Sequence, residues 1–170
     1  TNTADDYDVQ SGTISVKGKD VTKKIDLQLK KYNLKFNILD SEKGTAVDDA
    51  ALTVRSGETV LSPSAGTYTV SRGTYRYEAS AFGYQTVSDG EVVVEPSVEA
   101  DQTKDITLTK QPLVTITFSY NYGKYTDPVR DSKIEVTTAD GRKMTAKEDT
   151  DGFVYELPAG YSYTYKFTSA

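Results

Sequence analysis

Cysteine and histidine are both absent from the 170 residues. Their absence removes every Ser-His-Asp or Cys-His nucleophile, every thiolate or imidazole metal site, all disulfides, and haem or iron-sulfur ligation by those residues. No apolar run approaches the roughly 18 residues of a membrane helix, and the opening stretch, TNTADDYDVQ, has no hydrophobic signal core. A chain that begins at Thr1 in this way reads as a mature form or an excised piece. A basic excess is missing too, since 25 acidic against 20 basic side chains leave a net charge of -5. Phosphate binding needs clustered Lys and Arg, so neither a nucleic-acid partner nor membrane insertion is expected.

What the chain does contain points to β structure. Thirteen tyrosines and many threonines accompany ordinary glycine and proline usage, 12 and 5 residues, and an apolar share of 36%. The length suits one domain or two small ones. Internal repetition then organises the chain. Asp26-Leu27-Gln28-Leu29-Lys30-Lys31 lines up with Asp105-Ile106-Thr107-Leu108-Thr109-Lys110, an offset of 79 residues. Upstream, Ser11-Gly12-Thr13-Ile14-Ser15-Val16 lines up with Asp89-Gly90-Glu91-Val92-Val93-Val94. Val47 to Val54 matches Val129 to Val136 at an offset of 82, and Arg72-Gly73-Thr74-Tyr75-Arg76-Tyr77 resembles Ala159 to Tyr165 with a small insertion.

The phase of the repeat is informative. Residues 32–110 form one whole unit, residues 111–170 hold the opening two thirds of a second, and residues 1–31 read as the closing strands of a split unit. Period-2 alternation predicts strands over Leu34 to Leu39, Ala51 to Arg55, Thr67 to Val70, Thr74 to Ala81, Glu91 to Val94 and Lys104 to Thr109. Tyr161, Tyr163, Tyr165 and Phe167 share one strand face, and Ile116 with Phe118 and Ile134 with Val136 alternate likewise. Turns are predicted at Arg55 to Glu58, Asp89-Gly90, Ala139 to Gly141 and Asp151-Gly152, where glycine supplies a positive φ. Short strands at this spacing predict an all-β fold of antiparallel sandwiches.

Each unit runs through a strand, an acidic loop, Asp49-Ala50-Ala51-Leu52-Thr53-Val54, a turn, then Gly-x-Tyr-x-Tyr-x-x-Ser-Ala-x-Gly-Tyr from Gly73 to Tyr84, and two closing strands. This pattern resembles the prealbumin-like, immunoglobulin-like repeats of bacterial surface proteins, including the PEGA-type, carboxypeptidase-regulatory-like and collagen-adhesin B-type families. The resemblance implies tandem β-sandwich repeats, an extracellular place on a bacterial cell surface, and stalk, spacer or adhesin-support roles rather than chemistry. The adhesin B-type relatives also imply an intramolecular isopeptide bond, for which Lys35 and Glu78 would supply amine and acid, and Asp105 or Asp26 the acceptor. Phe82 replaces that family's proline, and its lysine position aligns with Ile38 and, in the second unit, Phe118. The plainer reading places Glu78 and Lys35 on solvent-facing strand positions.

Two further clusters have competing readings. Asp5, Asp6 and Asp8, like Glu148 to Gly152, are oxygen-rich, but neither has the ligand spacing of a calcium loop, and aspartates before glycine usually mark turns. Tyr120, Tyr122 and Tyr125 fall in one predicted loop and are candidate contacts for a glycan or host protein, because aromatic faces stack on sugars. The expected function is a non-catalytic structural module without cofactor or metal. Its partners would be neighbouring repeats of the same chain or of another copy, joined by strand complementation; the alternative is an adhesin-type binding module using the tyrosine loop.

Overall fold

The computed structural model describes residues 6–96, 101–119, 132–148 and 152–168, and among them the chain forms twelve strands and no α-helix. It divides into two compact units: Thr1–Phe82 with Thr86–Leu108, and Gly83–Gln85 with Thr109–Ala170. No helix among the described residues is long and apolar enough to cross a membrane.

Unit 1 contains β1 (Tyr32–Asp40), β2 (Ala51–Ser56), β3 (Thr59–Leu61), β4 (Tyr68–Val70), β5 (Gly73–Ser80), β6 (Val87–Val94) and β7 (Asp101–Leu108). They form two sheets, ordered β4-β1-β7 and β3-β2-β5-β6. Alternation turns Tyr32 and Leu34 of β1, Tyr75, Tyr77 and Ala79 of β5, and Ile106 and Leu108 of β7 into one buried core. Phe36 ties the sheets together, its ring meeting Tyr68 of one sheet at 5.7 Å and Tyr77 of the other at 5.6 Å, both edge-on. At the end of β1 the buried Asp40 carboxylate accepts hydrogen bonds from the backbone N–H groups of Glu42 and Lys43, at 2.8 and 2.9 Å, and fixes the exit turn.

The structure corrects the sequence reading at two points. The sandwich is not wholly antiparallel, because β7 pairs with β1 in parallel from Asn33↔Asp101 to Asp40↔Leu108. A chain that closes one sheet with β6 and then crosses to the other sheet re-enters beside β1 in the same direction. Asp89-Gly90 is not a turn but lies inside β6, opposite Tyr77. Pairing steps from Tyr77↔Gly90 to Ala79↔Val87, so β6 carries one extra residue as a bulge. The glycine is required by packing: a Cβ there would stand 2.1 Å from Cε2 of Tyr77. The predicted Gly57 turn does form, with φ of 56°, between β2 and the short β3 that alternation alone did not reveal.

Unit 2 contains β8 (Leu113–Thr117), β9 (Lys133–Thr138), β10 (Lys143–Met144), β11 (Val154–Pro158) and β12 (Tyr163–Thr168). Its sheets are β11-β8 and β10-β9-β12. Ile134, Val136, Tyr155 and Leu157 are its buried core, with Phe118, Met144 and Tyr163 packed against them. The order matches the first five strands of unit 1, where β4 pairs with β1 and β2 lies between β3 and β5. Among the described residues, β8 has no parallel partner corresponding to β7, and no strand lies beyond β12 where β6 lies beyond β5.

Candidate functional site

The three isopeptide candidates are all exposed. Lys35 and Asp105 lie on the outer face of the β4-β1-β7 sheet, where Lys35 Nζ bonds Asp101 at 3.0 Å and Asp105 accepts from Asn37 Nδ2 at 2.8 Å. Glu78 projects from β5 between the buried Tyr77 and Ala79, so it faces outward from the opposite sheet. The structure therefore does not bring the three together, and none is desolvated, which an amine must be to lose its proton near neutrality. Tyr120, Tyr122 and Tyr125 lie outside the described residues. Asp6 is buried and faces Arg72, whose Nη1 lies 3.2 Å from Oδ2 and 3.3 Å from Oδ1; Asp5 and Asp149 to Asp151 lie outside the described residues.

The outer face of β1 and β7 carries one perturbed titration. The Asp101 carboxyl is held below the usual carboxylate range by the hydrogen bond from Asn33 Nδ2, 2.8 Å away, and then by the neighbouring Lys35 ammonium. A pKa depressed on folding adds stability above the unfolded carboxylate value, and that contribution fades as pH falls through the folded value. Asn33→Ala is expected to move the Asp101 titration upward, toward its unperturbed range, in carboxyl-detected NMR. An unmoved curve would show that the hydrogen bond has no hold on the charge.

The most unusual surface is apolar. On unit 2, Leu113, Val114 and Ile116 of β8 and Tyr165 and Phe167 of β12 are exposed. On the segment before β1, Val9, Ile14, Val16, Val21, Ile25 and Leu27 are exposed as well. No strand forms over residues 8–28. The segment runs out and back around a turn at Gly18, φ 74°, and its two arms flank a cleft of about 350 Å³ between Gly12 to Ile14 and Lys23 to Asp26. Its root is fixed by an antiparallel bridge between Tyr7 and Leu29, with Asp8 N–H bonding the Gln28 carbonyl and Lys30 N–H bonding that of Asp6, each at 2.8 Å.

The same root recurs beside β6 and β7. Tyr84 bridges Lys110, Gln85 N–H bonds the Thr109 carbonyl and Gln111 N–H that of Gly83, again each at 2.8 Å. Gly83–Gln85 and the chain from Thr109 onward belong to unit 2, while the β6-β7 pair between them completes unit 1. The Tyr7–Leu29 bridge likewise closes the base of residues 9–27, all within unit 1.

Side-chain packing also aligns the units more closely than the sequence did. Phe118 meets Tyr155 edge-on at 5.9 Å and Tyr165 at 5.3 Å, repeating the contacts of Phe36 with Tyr68 and Tyr77. Phe118 therefore corresponds to Phe36, two residues from the Ile38 position at which sequence alignment set it. The constant spacing of 82 residues, shared with Val54 and Val136, was the available signal. Tyr165 pairs with Val136 as Tyr77 pairs with Val54, so Tyr165 occupies the place of Tyr77. Their fates differ: Tyr77 is 9% exposed beneath β6, and Tyr165 is 67% exposed.

No protein-family model and no curated protein sequence matches the chain. Among solved structures, the chain is similar to the pilus adhesin SpaC from Lactobacillus rhamnosus GG in its open conformation. The TM-score is 0.50 at 13% identity, over 85% of this chain and 25% of the adhesin. It is also similar to the Bacillus anthracis TIE protein, with a TM-score of 0.42 at 19% identity, over 85% of this chain and 29% of that one. The chain thus spans about a quarter of the length of the adhesin, and the likeness to it is one of all-β fold.

Proposed function

We propose that this chain is a non-catalytic structural module of an extracellular bacterial surface protein, a segment of stalk, spacer or fibre made of repeated β-sandwich units. The observation that carries the reading is the five-strand order of unit 2, which repeats that of the first five strands of unit 1, with no counterpart of β6 or β7 among the described residues. An open sheet edge beside an uncovered apolar face favours strand addition, which supplies backbone hydrogen bonds and burial together. Residues 9–29 repeat the sequence of β6 and β7, so segments with the sequence pattern of closing strands exist in the same chain. The pilus-adhesin fold likeness supports a surface role by analogy.

Size-exclusion chromatography with light scattering over a concentration series tests this reading. The mass is expected to rise above the 18.7 kDa of one chain as concentration increases, and deletion of residues 1–31 is expected to abolish the rise. A constant single-chain mass throughout would overturn assembly by strand addition.

A further inference from the structure

We infer that the outer face of the β10-β9-β12 sheet is a docking surface for a linear polysaccharide carrying sulfate groups, held by the ammonium groups of Lys133, Lys143 and Lys166. The inference concerns unit 2 alone and does not depend on strand addition. Alternation with the buried Ile134, Val136 and Thr138 turns Lys133, Glu135 and Thr137 of β9 outward. Pairing then sets Thr164 and Lys166 of β12 beside Thr137 and Glu135, and Lys143 of β10 beside Thr137 on the other flank. Lysines from three different strands thus share one face. Lys133 Nζ lies 2.8 Å from Glu135 Oε1, and Lys143 Nζ lies 3.8 Å from the same oxygen.

One carboxylate among three ammonium groups leaves this face positive. Glu135 registers all three: the hydrogen bond from Lys133 first, then the charges of Lys133, Lys143 and Lys166, hold its carboxyl below the usual carboxylate range. Among the described residues Lys166 makes no ion pair, so an incoming anion finds a cation not yet neutralised. The fold itself does not require these lysines, because Ala51, Val60 and Glu78 stand at the corresponding positions of unit 1. Arg55 and Arg76 of that face fall where Thr137 and Thr164 stand, and Arg76 is held by Asp89 at 2.7 Å. Residues 109–170 contain eight basic and eight acidic side chains, so the net charge of -5 lies wholly in the rest of the chain. An anionic polymer therefore meets a positive face on a unit with no net charge to repel it.

The rest of the surface identifies the occupant. A lysine ammonium is a point charge without the planar fork that arginine presents to a carboxylate, so it suits an ester anion whose terminal oxygens accept from several directions. Thr137 and Thr164, whose hydroxyls meet at 2.8 Å, place hydroxyl donors and acceptors on the same face, where sugar hydroxyls can exchange hydrogen bonds with them. Beside them a cleft of about 290 Å³ opens between Lys133 and Lys143, lined also by Met144, Thr145 and Tyr155. An apolar wall flanked by cations matches a sugar ring that bears an anionic group better than it matches a bare phosphate chain. Lys133 and Thr137, the neighbour of Lys143, are four residues apart on β9, a separation of about 13 Å. A polymer segment spans that distance and a small ion does not.

Heparin serves as the sulfated probe, with binding to the full chain measured by calorimetry at about 0.15 M salt, where attraction between distant exposed charges is largely screened. The triple variant Lys133→Gln, Lys143→Gln, Lys166→Gln is expected to bind at least about tenfold more weakly than the wild type. A control that removes the same charge from unit 1, Lys17→Gln, Lys43→Gln, Lys104→Gln, is expected to stay within about twofold of it. None of these six lysines is buried, so both variants are expected to keep the wild-type fold in circular dichroism. Glu135→Gln, which removes the carboxylate between the lysines, is expected to tighten binding about threefold. Absence of heparin binding by the wild type, or equal weakening in both triple variants, would sink the site. Displacement of heparin as readily by hyaluronan, which carries carboxylates without sulfate, or by inorganic polyphosphate at equal charge would reject a sulfated sugar as the occupant.

Discussion

Gly90→Val is expected to destabilise unit 1 by about 3 kcal/mol, a large loss for a glycine inside a strand, where β-branched residues are ordinarily favoured. The reason is local. A Cβ at residue 90 would stand 2.1 Å from Cε2, 2.3 Å from Cζ and 2.7 Å from Cδ2 of Tyr77, inside contact distance for the whole ring edge. The ring cannot swing aside cheaply, because it also meets Phe36 at 5.6 Å within the core. Overpacking of this kind forces the side chain from its rotamer or the strand from its register. In a Tyr77→Ala background the same valine should cost less than about 1 kcal/mol, and a double-mutant cycle in urea would isolate the coupling. Equal costs in the two backgrounds would mean that the glycine is needed for the bulge rather than for the ring.

Leu108→Ala is expected to cost unit 1 about 3 to 4 kcal/mol, whereas Leu29→Ala, at the matching position of the repeat, leaves unit 1 essentially unchanged in the single chain. Leu108 has no exposed surface and lies beside Asp40 in the parallel β1-β7 pair; truncating it leaves a cavity that flanking strands cannot close. Leu29 is 38% exposed and sits in an isolated bridge outside the sandwich, so truncation removes little packing. Hydrogen exchange of the β1 and β7 amides reads the difference, since protection there tracks the opening of the core. Protection lost equally in both variants would place the N-terminal segment inside the cooperative unit.

The contrast between these leucines shows how far sequence reasoning reaches. Period-2 alternation located six of the seven strands of unit 1, and the one it missed, Thr59–Leu61, is a short edge strand with too few residues for alternation to register. The repeat identified residues 9–29 as kin of β6 and β7, yet Leu27 and Leu29 carry the same local signal as Ile106 and Leu108 without sharing their burial. Local pattern encodes which face of a strand is apolar, not whether another strand arrives to cover it. Asp89-Gly90 failed for a related reason: the dipeptide is turn chemistry in isolation, and only the ring of Tyr77, a residue thirteen positions earlier, explains the glycine within a strand. The same spacing error set Phe118 against Ile38, because loop residues align loosely while a three-ring cluster aligns by contact.

The chain's composition and alternation were enough to determine an all-β protein without cysteine or histidine chemistry and the faces of most strands. Those properties are local or periodic, so they survive in one dimension. The tertiary structure alone decided that β7 returns parallel to β1, that Glu78 faces outward from one sheet while Lys35 and Asp105 face outward from the other, and that among the described residues no strand corresponding to β7 or β6 lies beside β8 or β12. Each of these depends on which strand lies next to which, a matter of long-range pairing and burial that no single segment carries.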